Sequence, residues 1–484
     1  MTTIKLDPGA ALLLDALHGA GHAAYAVGGC VRDSLLGLDP HDWDLCTSAR
    51  PEQVMALFGE EKCIPTGLQH GTVTVKQGGR LYETTTFRTE GAYSDGRHPD
   101  AVCFVPDVRE DLARRDFTIN AMAYSAEEGL IDPFGGQDDL AAHLVRAVGE
   151  PERRFEEDAL RILRLYRFAA RFGFAIDPAT GAAARALGPH LDCVSAERIQ
   201  EELLKLLAAP RPGSYLEPAV LAVVLPELEP EKQPERFAEL CRTIDRIEPT
   251  AENVPARLAA LLWPLGEAGA RKALRKLKCS NALTDEVTAL EREAGGGAGS
   301  FLLGHEFELR HPADALCLER HSHPAGRCPN SNSLFPPQAA VVTVAGHSIA
   351  RPIACGNRVP PQRTVLGETP GTPNTTLTVQ AKRLLGHYEL PTIKRLTALC
   401  SARHPEQAEA FAALRAEAER LTAENACCRV SQLAVNGRDL MAAGVRPGPG
   451  LRQVLNALLE AVITGQTPNE KDALLAAAAQ FSAS

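Results

Sequence analysis
The chain has no charged-then-apolar leader at MTTIKLDPGA and no apolar run long enough to span a bilayer. Those absences predict a cytoplasmic protein rather than a secreted or membrane-spanning one. Cysteine is present but unpatterned: the 13 residues are odd in number and form no C-x-x-C pair. A disulfide framework and a zinc ribbon are thereby excluded, and the thiols read as free core filler in a reducing compartment. Basic charge is not in surplus either, since 51 Lys and Arg face 61 Asp and Glu, for a net charge of −10. That sum speaks against a nucleic-acid partner only globally, because binding follows the local field over one surface. From Arg320 to Gly367 acidic residues vanish altogether. A His-Asp metal motif of the phosphohydrolase kind is also missing, because His41-Asp42 reads as part of a strand, so an added phosphatase activity is not expected.

At 484 residues, 45% apolar and 23% charged, the chain is globular and too long for one core. Its first part reads as mixed α/β, with a helix through Ala11–Leu17, strands over Ala23–Val27 and His41–Thr47, and a hairpin over Gly71–Arg88 turning at Gly78-Gly79. RRDFTINAMAY, from Arg114 to Tyr124, is expected to open a helix. From Glu152 onward helical periodicity dominates, beginning with one helix over 152–173. Between 300 and 387 it fades while Pro, His, Arg and Ser accumulate; the segment reads as a disordered insertion or as the product of a shifted reading frame. A helical tail is expected to resume near Pro391, a residue suited to a first helical turn.

The chemistry concentrates in GGCVRDSLLGLDPHDWDLC. On a strand, residues two apart share a face, so Asp42 and Asp44 converge while Trp43 and Leu45 turn to the apolar side. Two carboxylates so placed repel unless a cation sits between them, and hard oxygen ligands suit Mg²⁺ alongside substrate phosphates. Gly28-Gly29 at a strand end allows close backbone approach to a phosphate, and Arg32 can reach the same anion. A plain tight turn and an Arg32–Asp33 ion pair are the alternatives. Glu83, on the hairpin, is a candidate third carboxylate or a solvent-facing strand residue.

In ERRFEEDALRILRLYRFAARFGF, Arg161, Arg164, Arg167 and Arg171 share one broad helical face, a basic stripe that the net charge conceals. Glu157, Asp158 and Arg161 lie within one turn at its start. A carboxylate beside a guanidinium offers an acceptor next to a donor. Cytosine and adenine present the matching amino donor beside a ring-nitrogen acceptor, whereas uracil and guanine present the reverse. Such a pair would accept C and A and reject U and G, because the wrong base leaves buried polar groups unpaired. An i,i+3 salt bridge between the same residues would look identical in sequence.

YAVGGCVRDSLLG, DWDLCTSARPE, YETTTFRTEGAYSDGRHPDAV, DLARRDFTINAMAY, IDPFGGQDDL, RFEEDALRILRLYRFAARFGF and ERIQEELLKLL together resemble the class II tRNA nucleotidyltransferases, the bacterial CCA-adding enzymes and their poly(A) polymerase relatives. The resemblance runs through nearly all of residues 20–208, and LRKLKCSNA and the Asn436–Ala478 region also look like that family. It implies an α+β fold, with a nucleotidyltransferase head on a mixed sheet followed by all-helical neck, body and tail. The corresponding divisions are 1–145, 146–210, 211–299 and 388–484, with 300–387 left as the anomalous segment. It further implies metal ligation by Asp42 and Asp44, beside which the hairpin's Glu83 stands as the candidate third member of the catalytic set. Nucleotide contacts would come from Gly28, Gly29, Arg32 and Arg115, base reading from Glu157, Asp158 and Arg161, and completion of the site from Arg164 and Arg167. The loop Glu90–Pro99 looks like the flexible loop that helps switch specificity from C to A. The implied activity is template-independent addition of C, C and A to the 3′ end of tRNA from CTP and ATP, with Mg²⁺. A poly(A) polymerase and a catalytically impaired RNA-binding protein of the same fold are the alternatives.

Overall fold
In the computed structural model the described residues are 3–91, 102–295 and 375–481. Most of the Glu90–Pro99 loop and most of the anomalous segment, including the reading-frame question, lie outside them.

The head begins with α1 (Pro8–Gly19), whose first N–H groups are capped by the Asp7 carboxylate and whose apolar stripe buries Leu13, Leu14 and Leu17. Five strands follow: β1 (Ala24–Val27), β2 (Leu45–Thr47), β3 (Cys63–Gly67), β4 (Thr72–Gln77) and β5 (Arg80–Thr86). Helices α2 (Gly29–Leu35) and α3 (Pro51–Phe58) intervene. Gly78 and Gly79 both take positive φ (58° and 80°), as a two-residue hairpin turn between β4 and β5 requires. A ribbon of β6 (Arg88–Glu90) and β7 (Val102–Phe104) forms the base of the loop, and α4 (Val108–Ala113), β8 (Ala123–Ser125) and β9 (Gly129–Ile131) follow. The main sheet has seven strands in the order β3-β4-β5-β2-β1-β8-β9. It is mixed, since β2 runs parallel to β5 and antiparallel to β1. Period-two alternation divides its faces: Ala24, Ala26 and Leu45 join one core cluster, Tyr25, Val27 and Cys46 another.

Two expectations for the head are corrected. The strand at the paired aspartates is shorter than His41–Thr47: it starts at Leu45, and Asp42–Asp44 form its lead-in. Alternation nevertheless holds there, with Trp43 buried and both aspartates exposed. The Arg114–Tyr124 stretch is not a helix. Asp116 Oδ1 accepts the Phe117 N–H (2.8 Å) and the Asn120 amide (3.0 Å), side-chain bonds that compete with a helical ladder, and only a 3₁₀ turn at Thr118–Asn120 results.

After α5 (Gly136–Ala141) and β10 (Leu144–Val145), the expected single helix over 152–173 is two: α6 (Pro151–Glu157) and α7 (Leu160–Phe172). Asp158 breaks it, with extended φ −149° and its carboxylate accepting the Leu160 N–H at 3.1 Å. Strand β11 (Ala175–Ile176) pairs with β10, and α8 (Pro178–Ala186) and α9 (Ala196–Leu207) complete the region. Helices α10 (Pro218–Val224), α11 (Pro234–Arg246), α12 (Val254–Leu262), α13 (Gly266–Lys276) and α14 (Asn281–Ala294) form the next layer. It is tied back by Arg257, a wholly buried guanidinium that donates to the carbonyls of Leu207 (2.6 Å), Ala209 (2.5 Å) and Ile247 (2.6 Å).

Helical structure resumes earlier than Pro391. Helix α15 (Thr375–His387) buries Ala381, Leu384 and Leu385 within the main core and packs on α17, so its apolar stripe has a partner that local composition does not reveal. Helices α16 (Leu390–Arg403), α17 (Ala408–Ala423), α18 (Gly437–Ala442), α19 (Pro449–Ile463) and α20 (Lys471–Phe481) follow. The last three share a small core of their own around Leu440, Leu458 and Leu474. Among the described residues no helix is long and apolar enough to cross a membrane.

Candidate active site
The parallel register pairs Leu45 with Thr84, which sets Asp44 beside Glu83 one residue earlier on the same face. Asp44 is open to solvent on one side and crowded by protein on the others. That partial desolvation is the largest cause of its pKa being pushed up to about 6; Glu83 raises it further, Arg115 opposes, and Asp42 adds a smaller push. The Asp42, Asp44 and Glu83 carboxylates thus share one field with one nearby guanidinium. They are a hard-oxygen donor set of the kind a divalent cation takes together with substrate phosphates. Among the described residues no group of three His, Cys, Asp or Glu side chains is arranged as it stands to hold a metal ion.

Gly28 caps α2 with φ 77° and ψ −121°, a conformation that only glycine takes readily. A Cβ there would lie 2.8 Å from Arg115 Nη1, so the missing side chain is what lets that guanidinium lie against the turn. The Gly28 N–H itself donates to the Met122 carbonyl (3.0 Å) and is not aimed at an anion, while Gly29 opens α2.

Arg32 lies elsewhere than an open phosphate pocket. It is buried against the rings of Phe168 and Phe172 (5.2 and 4.9 Å) and donates to Asp33 (2.8 Å) and Asn120 (2.5 Å). In this structure the ion-pair alternative is realised, and Arg32 joins the head to α7.

The arginine stripe is likewise not a free basic face. Arg164 forks onto Asp116 Oδ2 (2.9 and 2.6 Å), Arg167 pairs with Glu202 (2.6 Å), and Arg171 pairs with Asp33 (3.1 Å). Burial alone would raise the Asp116 carboxyl, but the Arg164 charge and the Asn120 bond hold it well below the usual range. Acids contributed by the head and by α9 thus neutralise the face of α7, which a reading of α7 alone could not detect.

The side chains of Asp158 and Arg161 do not bond each other; their link is the Arg161 N–H donating to the Asp158 carbonyl (3.0 Å). Arg161 donates to Glu157 (2.8 Å) and to the Arg114 carbonyl (3.0 Å), while Asp158 Oδ2 accepts from Arg198 on α9 (2.8 Å). Sequence reasoning singled out neither Asp116, Arg198 nor Glu202. The i,i+4 spacing of Arg198 and Glu202 in ERIQEE is the signal that was present.

The two clusters meet through one short segment. Arg115, which acts on Asp44, bonds Asp111 (3.4 Å); Ala113 and Arg114 accept from Arg154 and Arg161 (2.9 and 3.0 Å); and Asp116 holds Arg164. Residues 111–116 thus bring Arg115 into the field of Asp44 on one side and hold the head of α7 on the other. A cavity of about 420 Å³ opens beside this segment, lined by Thr89, Glu110, Arg114, Arg154 and Glu157 among others.

Residues 24–146 match the poly A polymerase head domain, and residues 382–478 match tRNA nucleotidyltransferase domain 2. Residues 173–231 match the family described as "Probable RNA and SrmB- binding site of polymerase A". The chain is 33% identical over 466 residues to the CCA-adding enzyme of Lactiplantibacillus plantarum, covering 96% of this chain and 93% of that one. The CCA-adding enzyme of Levilactobacillus brevis is equally similar, at 33% over 96% of each chain. This chain belongs to the CCA-adding enzyme family. It is therefore a class II tRNA nucleotidyltransferase, and membership carries dependence on a divalent metal ion. The crystal structure of the Bacillus stearothermophilus family member in complex with CTP aligns with a TM-score of 0.68 at 29% identity over 98% of both chains. The Thermotoga maritima member complexed with tRNA shares the fold (TM-score 0.59, 19% identity).

Proposed function
We propose that the chain adds C, C and A in turn to the 3′ end of tRNA, taking CTP and ATP and releasing pyrophosphate, with Mg²⁺ as its metal, in the cytoplasm. The observation that carries this reading is the segment 111–116, where Arg115, whose charge acts on Asp44, and the carbonyls that hold Arg154 and Arg161 lie within six residues of one another. The division into head (1–145), neck (146–210), body (211–299) and tail (388–484) goes with it. Described cysteines that are all free thiols are consistent with the compartment.

Asp42 and Asp44 would hold the ion, with Glu83 beside them. When bound, Mg²⁺ supplies a lowered pKa for the primer hydroxyl and charge compensation at the reacting phosphate. Arg115, packed on Gly28, balances Asp44 and would contact the triphosphate beside it. Arg32 and Arg164 fix the neck against the head, and Arg167 ties α7 to α9 within the neck, so that the base-reading turn cannot drift relative to the acids. At that turn Asp158 offers an acceptor and Arg161, oriented by Glu157, a donor, the pattern that cytosine and adenine complement. No nucleic-acid template is needed, because the protein edge selects the base.

The test is incubation of the chain with tRNA lacking its terminus, Mg²⁺ and each labelled nucleotide. Three added residues, in the order C, C, A, are expected, and a long A tract would favour the poly(A) polymerase reading instead. Asp42→Ala and Asp44→Ala should each abolish incorporation with tRNA binding kept; wild-type rates in either would remove the metal assignment.

A further inference from the structure
On the far side of α7 from its arginines lies a second cavity, of about 510 Å³, walled by residues 173–176 and 214–217 and by Tyr166. Its volume is within the range of small-molecule sites. Aromatic side chains from three separate segments, Tyr166, Phe174 and Tyr215, contribute to its lining. Tyr166 is only 4% exposed, yet its hydroxyl has no hydrogen-bond partner. A buried hydroxyl left unpaired is costly, so such a group marks a place where a partner belongs. Glu217, half-buried in the same wall, is close enough for its charge to act on that phenol, and among the described residues its ion pair is a loose one to Arg185 (3.8 Å). One donor and one carboxylate acceptor therefore converge on an aromatic-lined recess.

We propose that this recess binds an unstacked adenine or cytosine base of RNA, separately from the reaction site. The exocyclic amine would donate to Glu217, a ring nitrogen would accept the Tyr166 O–H, and the aromatic walls would take the face of the base. In the same orientation uracil places a carbonyl where the amine is needed and would meet the carboxylate unfavourably. Both walls of the recess, residues 173–176 and 214–217, fall inside the 173–231 segment that matches the RNA-binding family, which favours a base carried on RNA over a free nucleoside.

The test uses the full chain, with Tyr166→Phe, which removes only the hydroxyl, and Glu217→Ala. Calorimetric titration with adenosine, cytidine and uridine reads the shared chemistry, and anisotropy of a labelled oligo(A) against oligo(U) reads RNA. The expected result is a site for A and C beyond the one at the reaction centre, weakened about 5-fold by Tyr166→Phe and about 10-fold or more by Glu217→Ala, as loss of a neutral and of a charged hydrogen bond implies. CTP incorporation at saturating tRNA should be unchanged in both variants. If only oligo(A) loses affinity, the occupant is an RNA base; if only the nucleosides do, it is a free nucleoside. A single binding site, equal affinity for uridine, or binding that neither variant alters would overturn the proposal. Failed incorporation by the wild type would instead count against the proposed function.

Discussion

Asp116 and Arg164 are the tightest link between the head and α7, and a double-mutant cycle on them tests whether the arginine face is held by acids rather than displayed to RNA. Asp116 is buried and accepts four bonds: two from Arg164 on Oδ2, and one each from Phe117 N–H and the Asn120 amide on Oδ1. Asp116→Asn keeps the shape but replaces a charged acceptor facing a guanidinium with an amide. Charge-assisted hydrogen bonds contribute roughly 1.5–3 kcal/mol each. The Arg164 side chain is 33% exposed, so water recovers part of what is lost when its partner goes. A cost of about 2–3 kcal/mol is expected. Arg164→Met should cost a similar amount, and the double variant little more than either, giving a coupling of about 2 kcal/mol. Because the folded-state pKa of Asp116 is depressed, its contribution is fully present above the unfolded value of about 4 and fades only as pH falls below it. The chain has 2 tryptophans, and Trp43 sits in the head core. Urea unfolding followed by Trp43 fluorescence, in a Trp263→Phe background, therefore reports the head. Additive costs, within about 0.5 kcal/mol, would refute the pairing and return the arginines to solvent or RNA.

Asp44 should titrate near pH 6 in the metal-free chain, seen by carboxyl ¹³C shifts, and Glu83→Gln should lower that pKa by removing a like charge. As pH falls through 6 the group becomes neutral, so divalent-ion affinity should drop there; an Asp44 that titrates in the ordinary carboxylate range would contradict the shared field. Asp158→Ala should relax base choice toward U or G by about 1.5–3 kcal/mol of lost discrimination, measured by competition among the four nucleotides. Unchanged selectivity would make Asp158 merely a helix cap and an Arg198 partner. Arg257→Ala should destabilise the chain by roughly 3–5 kcal/mol, because it strands three buried carbonyls and opens a cavity. A loss under about 1 kcal/mol in urea unfolding would show that water replaces the guanidinium.

What the sequence determined by itself is local and periodic. Alternation around Trp43 and Leu45 put Asp42 and Asp44 on one face, Gly78-Gly79 set the hairpin, and the motif order from YAVGG to ERIQEE identified the family. Boundaries set by side-chain competition were harder to see: Asp158 split one predicted helix in two, and Asp116 replaced another with a 3₁₀ turn. Tertiary structure alone decided what each charge meets. Arg32, Arg164, Arg167 and Arg171 have counter-charges on Asp33, Asp116 and Glu202, and all but the Arg32–Asp33 neighbours are brought together from distant segments by folding. The Asp44–Glu83 proximity rests on a parallel register between strands nearly 40 residues apart in sequence. The physical reason is range. Backbone preference and side-chain period act over a few residues and can be read along the chain, whereas a Coulomb interaction depends on distance in space, which the chain order does not contain.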